Sequence, residues 1–161
     1  MAKIPKVSKK YTAGLSKSTA AKRKAEIRKR IKGKVSEAES RKPLAGDKTA
    51  KTKASKYTIK AGELRKDILE RASKMRTGTQ KERFIKATAL ETGIPKSIIE
   101  QVYNRGLKAW SMGHRPGATP AQWAIARVYS FLTGGKTTTT GDADLYKKAK
   151  EAIKGKGVFR L

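Results

Sequence analysis

The 161-residue chain contains no cysteine and one histidine, His114. The first absence removes disulfides, thiolate zinc sites and cysteine nucleophiles together, and the second leaves almost nothing for histidine-based metal or triad chemistry. Acids are scarce too, 13 against 40 Lys and Arg, for a formal net charge of +27. No apolar run approaches the roughly 18 residues that span a membrane, and the N-terminus lacks the apolar stretch of a signal peptide. Hydrophobic residues make up 37%, below the roughly 45–50% of an average globular chain, so part of the chain is expected to lie outside a packed core. No paired carboxylates or activated nucleophile stands out. The chain therefore reads as a non-enzyme, with no catalytic residue, cofactor, metal, small-molecule substrate or membrane partner. What it has in quantity is positive charge, which repels itself unless an anionic partner is near.

That charge is unevenly spread. Residues 1–60 carry +16 and the remaining 101 carry +11. Aromatics divide more sharply, since Tyr11 is the only one before Tyr57 and seven of the ten fall between Phe84 and Tyr146. Residues 1–58 read as a basic arm and linker, 59–155 as a helical domain and 156–161 as a C-terminal tail. Within the arm, Ser16 or Ser18 can cap a helix over 19–31, with Gly33 as its stop. Lys22, Arg23, Lys24, Arg28, Lys29 and Arg30 put cations on nearly every face of that helix. It is expected to form mainly when phosphates or an acidic surface neutralise it. Residues 41–60, with Pro43, Gly46 and alternating Thr and Lys, read as an extended linker. The basic stretch would also suit a nuclear-localisation signal or a solubilising tail, but its charge points first to a polyanion.

From residue 61 onward the punctuation is helical. A helix over 63–75 places Leu64, Ile68, Ala72 and Met75 on one face. Thr79-Gln80-Lys81-Glu82 is a capping-box pattern opening a helix to Thr92, with Gly93 placed as its left-handed terminator. Pro95 suits the first turn of a third helix ending at Gly113. Thr119-Pro120-Ala121-Gln122 opens a fourth, to Thr133, and Asp142 is placed to cap a fifth, to Ile153. The expected fold is all-α: a small bundle of about five short helices, preceded by an extended, partly helical basic arm.

Each motif that resembles a site has a plainer reading. Gly134-Gly135-Lys136-Thr137 imitates the end of a phosphate loop, but Ser130 stands where the first glycine belongs and a helix precedes it. Lys136 and the exposed backbone N–H groups of that loop can still touch a phosphate. Asp142 and Asp144 suit a helix N-cap and first turn better than a cation site. His114 sits in a turn, where packing or phosphate contact is the simpler role. Ala89, Gly93 and Ile99 have helix-turn-helix spacing, and the second helix would expose Lys96, Ser97, Glu100, Gln101 and Asn104; a structural hairpin satisfies the same spacing. Trp110, Trp123, Tyr129 and Phe131 lie at helical spacing among aliphatics and read as core more readily than as base-stacking platforms. The interleaved Arg105, Arg115 and Arg127 suit phosphate or acidic protein.

Two stretches carry a resemblance. The first is Pro5-x5-Tyr11-x2-Gly14-Leu15-Ser16. The second, within residues 89–146, holds Val102-Tyr103-Asn104-Arg105-Gly106-Leu107-Lys108-Ala109-Trp110, Gly113-His114-Arg115-Pro116-Gly117-Ala118-Thr119-Pro120-Ala121-Gln122-Trp123-Ala124, Ala126-Arg127-Val128-Tyr129-Ser130-Phe131 and Asp142-Ala143-Asp144-Leu145. Together they resemble an uncharacterised small basic domain encoded by large DNA viruses of algae and by marine tailed phages. The resemblance implies a viral origin and a virion or genome-associated role; it carries no catalytic residues. The expectation is a basic structural protein of a viral particle, located in the virion and, during assembly, in the host cell. Its partner would be packaged nucleic acid, in the first place double-stranded DNA, or acidic faces of viral coat protein. The contacts would be Lys22, Arg23, Lys24, Arg28, Lys29 and Arg30 of the arm, with Arg105, Arg115, Arg127 and Lys136 of the domain. Two alternatives stand beside it: a minor capsid or cement protein whose arm threads between coat subunits, and a helix-turn-helix regulator reading bases through residues 89–104.

Overall fold

A computed structural model of the chain describes residues 3–157 and 159–161. Among these residues there are seven α-helices, two short 3-10 turns and no strand, so the protein is all-α. Its contacts divide it into two compact units, Met1–Lys53 with Leu107–Trp123, and Ala54–Gly106 with Ala124–Leu161.

The first unit contains α1 (Lys17–Ile31) and the short α2 (Glu37–Ser40). Ser16 caps α1 by accepting from the Thr19 N–H, and Ser36 caps α2 through the Glu39 N–H. Each serine satisfies a backbone donor that the first turn would leave open. Val7, Ile27 and Leu44 form a small core with Tyr11 packed against it. The unit also takes in Trp110, His114 and the connector that follows them. There the Trp110 indole N–H donates to the Ala118 carbonyl at 2.9 Å. Thr119 and Gln122 form a reciprocal pair: the Thr119 N–H donates to Gln122 Oε1 at 3.0 Å and the Gln122 N–H to Thr119 Oγ1 at 3.2 Å.

The N-terminal stretch thus differs from the extended arm expected of it. Residues 41–60 are not a featureless linker either: Leu44 is 4% exposed, and successive turns run from Leu44 to Ala50. The physical reason is that Leu44 brings an apolar side chain to Ile27, while Asp47 brings a carboxylate to the basic face of α1.

The second unit holds α3 (Lys56–Ser73), α4 (Gln80–Thr92) and α7 (Ala143–Ile153) whole. Most of α5 (Lys96–Met112) and α6 (Pro120–Leu132) belongs to it as well; the boundary cuts α5 after Gly106 and α6 after Trp123. These are the five helices expected after residue 59. The capping box at Thr79 and Glu82 is present, and Gly93 closes α4 in the left-handed conformation with φ 74°. The helix expected over 63–75 is the part of α3 after a kink at Gly62 (φ 39°, ψ −113°), where the backbone leaves the helical conformation; the turns before the kink start at Ser55, which caps them through the Thr58 N–H. Ile68, Phe84, Ile99, Val102, Val128 and Leu145 are buried at the centre. Phe84 meets Tyr129 edge-on with centroids 5.8 Å apart. Gly106 lets α5 and α6 cross closely, since a Cβ there would stand 2.7 Å from Ala124 Cα.

Candidate nucleic-acid interface

Helix α1 sorts its cations by its own period. Arg23, Ile27 and Arg30 stand at i, i+4 and i+7 and are its three buried residues. Lys22 and Lys29 are exposed, and Lys24 and Arg28 half-exposed. Two of the six cations expected to meet a polyanion are therefore interior, and Arg23 and Arg30 leave the candidate contact set. Arg23 is wholly buried; its Nη1 donates to Asp47 Oδ1 at 2.5 Å and to the Ala45 carbonyl at 3.0 Å, and its Nη2 to the His114 carbonyl. Arg30 Nη2 donates to the Lys42 carbonyl at 2.5 Å and the Glu39 carbonyl at 3.4 Å, and Nη1 to Ser111 O at 3.3 Å. Burial lowers the Arg30 guanidinium from its ordinary value, while Glu26 and Asp47 pull it back. Both guanidiniums gather carbonyl oxygens left over at helix ends and turns, where a cation is favourable.

The single histidine belongs to the same cluster. The His114 ring lies flat on Trp110, centroids 4.0 Å apart and planes 10° from parallel, and it is fully buried. Nδ1 stands 2.9 Å from the Trp110 carbonyl, and Nε2 meets Asp47 Oδ2. Both ring nitrogens thus face oxygen atoms within the cluster. Burial pushes the Asp47 carboxyl up, but hydrogen bonds from His114, Arg23 and the Leu44 N–H outweigh it and hold the group below its ordinary value. Of the two roles expected of His114, packing within the turn and phosphate contact, its fully buried ring performs the first.

What remains outward in this unit is almost all positive. It carries twenty Lys and Arg against four acids, and sixteen of the twenty cations are exposed. Asp47 is engaged within the cluster and Glu26 accepts from the Ala45 N–H at 2.8 Å. Glu37 pairs with Arg41 at 2.5 Å. Among the described residues Arg41 is the only exposed cation of this unit with a carboxylate partner. Arg115 is exposed in the connector after His114.

In the second unit the expected contacts are differently employed. Arg127 forms a two-pronged pair with the fully buried Asp142, Nε to Oδ2 and Nη2 to Oδ1, both at 2.9 Å. Arg105 reaches Asp144 through Nη1 at 2.8 Å and Nη2 at 2.9 Å, and the Gly141 carbonyl at 2.7 Å. The hydrogen bond from Arg105 holds the Asp144 carboxyl far below the carboxylate range and raises Arg105 itself. The two arginines thus fasten the start of α7 to α5 and α6. Asp142 stands at the N-cap position, but its side chain makes no capping bond because the arginines occupy it. Lys136 alone of the three is exposed and without a carboxylate partner among the described residues.

In the helix hairpin, Gly93 has the expected left-handed turn and Ile99 is buried. Two side chains placed to read bases have partners of their own: Asn104 Oδ1 accepts from Lys81 Nζ at 2.9 Å, and the Gln101 amide donates to the Ser97 carbonyl at 3.3 Å. No group of three or more His, Cys, Asp or Glu side chains converges among the described residues, and no helix is long and apolar enough to cross a membrane.

Fold and surface together define an all-α protein with one unit whose outward charge is overwhelmingly positive. A family model covering residues 8–148 matches this chain, and the protein belongs to that family, DUF5824, a family of unknown function. No curated protein and no solved structure matches it significantly.

Proposed function

We propose that this chain is a basic structural protein of a viral particle that binds packaged nucleic acid, double-stranded DNA, without sequence preference at the inner capsid. The observation that carries the binding part is the exposed, unpaired cation set of the first unit, sixteen Lys and Arg of which only Arg41 meets a carboxylate among the described residues. Such a surface draws its affinity from releasing the counterions condensed on phosphates, so binding falls steeply with salt. The viral setting is supported by the resemblance of the Pro5–Ser16 and 89–146 stretches alone. Lys22, Lys24, Arg28 and Lys29 on α1 lead the contact, with Arg115 and Lys136 as further single contacts. The interior arginines Arg23 and Arg30 serve it by holding α1 in place.

The test uses the full chain, since deleting residues 1–53 would strip Ile27 and Arg23 from the rest of their unit. Binding to a short fluorescent duplex is followed by anisotropy between about 50 and 200 mM salt. Replacing Lys22, Lys24 and Lys29 by Gln should lower the slope of log affinity against log salt by about 2.7, roughly 0.9 per contact. An unchanged slope refutes the contact. In purified particles the protein should leave with the genome; retention on emptied shells would favour acidic coat protein as the partner.

A further inference from the structure

Arg105 and Arg127 are committed to carboxylates, yet the second unit carries another set of cations that is not. The turn between α3 and α4, the first half of α4 and the start of α5 border a cleft of about 550 Å³. Arg76, Lys81, Arg83, Lys86 and Lys96 line it, with Glu82 and Glu100 the only acids. None of the five cations has a carboxylate within ion-pair distance among the described residues. Glu82 is engaged elsewhere, since its Oε2 accepts from the Thr79 N–H at 3.0 Å to complete the capping box.

Two of the charges are positioned by neutral groups. Lys81 Nζ donates to Asn104 Oδ1 at 2.9 Å and stands 5.3 Å from the centre of the Tyr103 ring. Arg83 Nη1 donates to the Met75 carbonyl at 3.5 Å. These partners fix where the charges sit without neutralising them. Arg76, Lys86 and Lys96 are exposed.

We infer that this cleft is a second nucleic-acid contact, taking the phosphodiester backbone and leaving the bases unread. It rests on the polyanion-binding reading above, but its residues are disjoint from those of α1 and it lies within one unit. The donor set is two guanidiniums and three ammoniums, and the guanidinium fork matches the oxygens of a phosphate. No aromatic side chain lines the cleft, so there is no platform on which bases would stack. Its apolar lining is Met75 and Ile85, too little to seat the large buried anchors on which peptide recognition depends. Backbone contact alone predicts equal loss of affinity across duplex sequences when these cations are removed.

The experiment compares three full-length proteins in the same anisotropy titration: the parent, R76Q/K86Q/K96Q and K22Q/K24Q/K29Q. The cleft variant should lower the salt slope by about 2.7, equally on two duplexes of different sequence. A fall with the α1 variant only overturns the cleft and leaves the α1 contact standing. A fall with the cleft variant only supports the cleft and removes α1, and no fall with either removes both. Loss of binding to polyglutamate with unchanged DNA binding would make acidic protein the ligand and overturn the inference. Should the cleft variant melt early, acylation of the parent's lysines is read by mass spectrometry instead. Lys86 and Lys96 should be shielded by duplex, and unaltered reactivity overturns the proposal.

Discussion

Replacing Asp47 by Asn tests the interior of the first unit directly. Among the described residues Asp47 is the one carboxylate that meets both Arg23 and His114, and the Arg23 side chain is 0% exposed. Asn keeps the shape and removes the charge, which leaves a buried guanidinium uncompensated. Breaking a buried pair in this way costs about 3–5 kcal/mol. Arg23 retains the Ala45 and His114 carbonyls as acceptors, which places the expected loss near the lower end, about 3 kcal/mol. For a chain of this size that corresponds to a melting temperature lower by about 6–12 °C. Urea and thermal unfolding followed by circular dichroism would measure it. The paired replacement R23M/D47L removes both charges and should be less damaging than D47N alone, because no orphaned charge remains. A D47N loss under about 1 kcal/mol, or a double variant worse than the single one, would refute the ion-pair account. The pH dependence has a definite sign. Asp47 is held below its ordinary value of 3.8 in the folded chain, so the unfolded chain takes up the proton more readily. Its contribution is present above about pH 4 and is lost as pH falls through the folded value, so the gap between parent and D47N should close in acid.

Two further perturbations probe the second unit. Gly106→Ala places a Cβ against the Ala124 backbone and should cost about 1–3 kcal/mol in urea unfolding, with the DNA salt slope untouched. A variant of parental stability would show that α5 and α6 can part freely. Asp142→Asn leaves Arg127 partly buried without its carboxylate and should destabilise by about 3 kcal/mol, whereas a neutral outcome would mean the arginines do not hold α7.

The helices after residue 59 were legible because their signals are local. Thr79 with Glu82, Thr119 with Gln122, and Gly93 each act within four residues, and the chain obeys them. The turns of α3 before residue 63 went unread for the opposite reason, since they lie ahead of the kink at Gly62 and their cap, Ser55, sits in a Lys- and Thr-rich stretch that reads as linker. In α1 the inward stripe was written in the spacing of Arg23, Ile27 and Arg30, but two of its members are charged and charge reads as surface. What makes them interior lies far along the chain: Asp47 is 24 residues from Arg23 and 67 from His114. Arg105 is likewise 39 residues from Asp144, and a lone arginine looks like a phosphate ligand until its carboxylate is seen. Arg76, Arg83 and Lys86 went unremarked because Lys and Arg are common everywhere in this chain, and only the cleft distinguishes them.

The first unit is built from two separate stretches, Met1–Lys53 and Leu107–Trp123, and this has a consequence for synthesis. At about 5–20 residues per second, the ribosome needs roughly 3–11 s to make the 53 residues between them. Throughout that interval Arg23 and Arg30 have neither the His114 nor the Ser111 carbonyl to bond, and only the partners within the N-terminal stretch itself, Asp47 and Ala45 for the first and Glu39 and Lys42 for the second, can hold them. The N-terminal half of this unit must therefore wait for residues 107–123 to supply the last carbonyl partners of its two interior arginines.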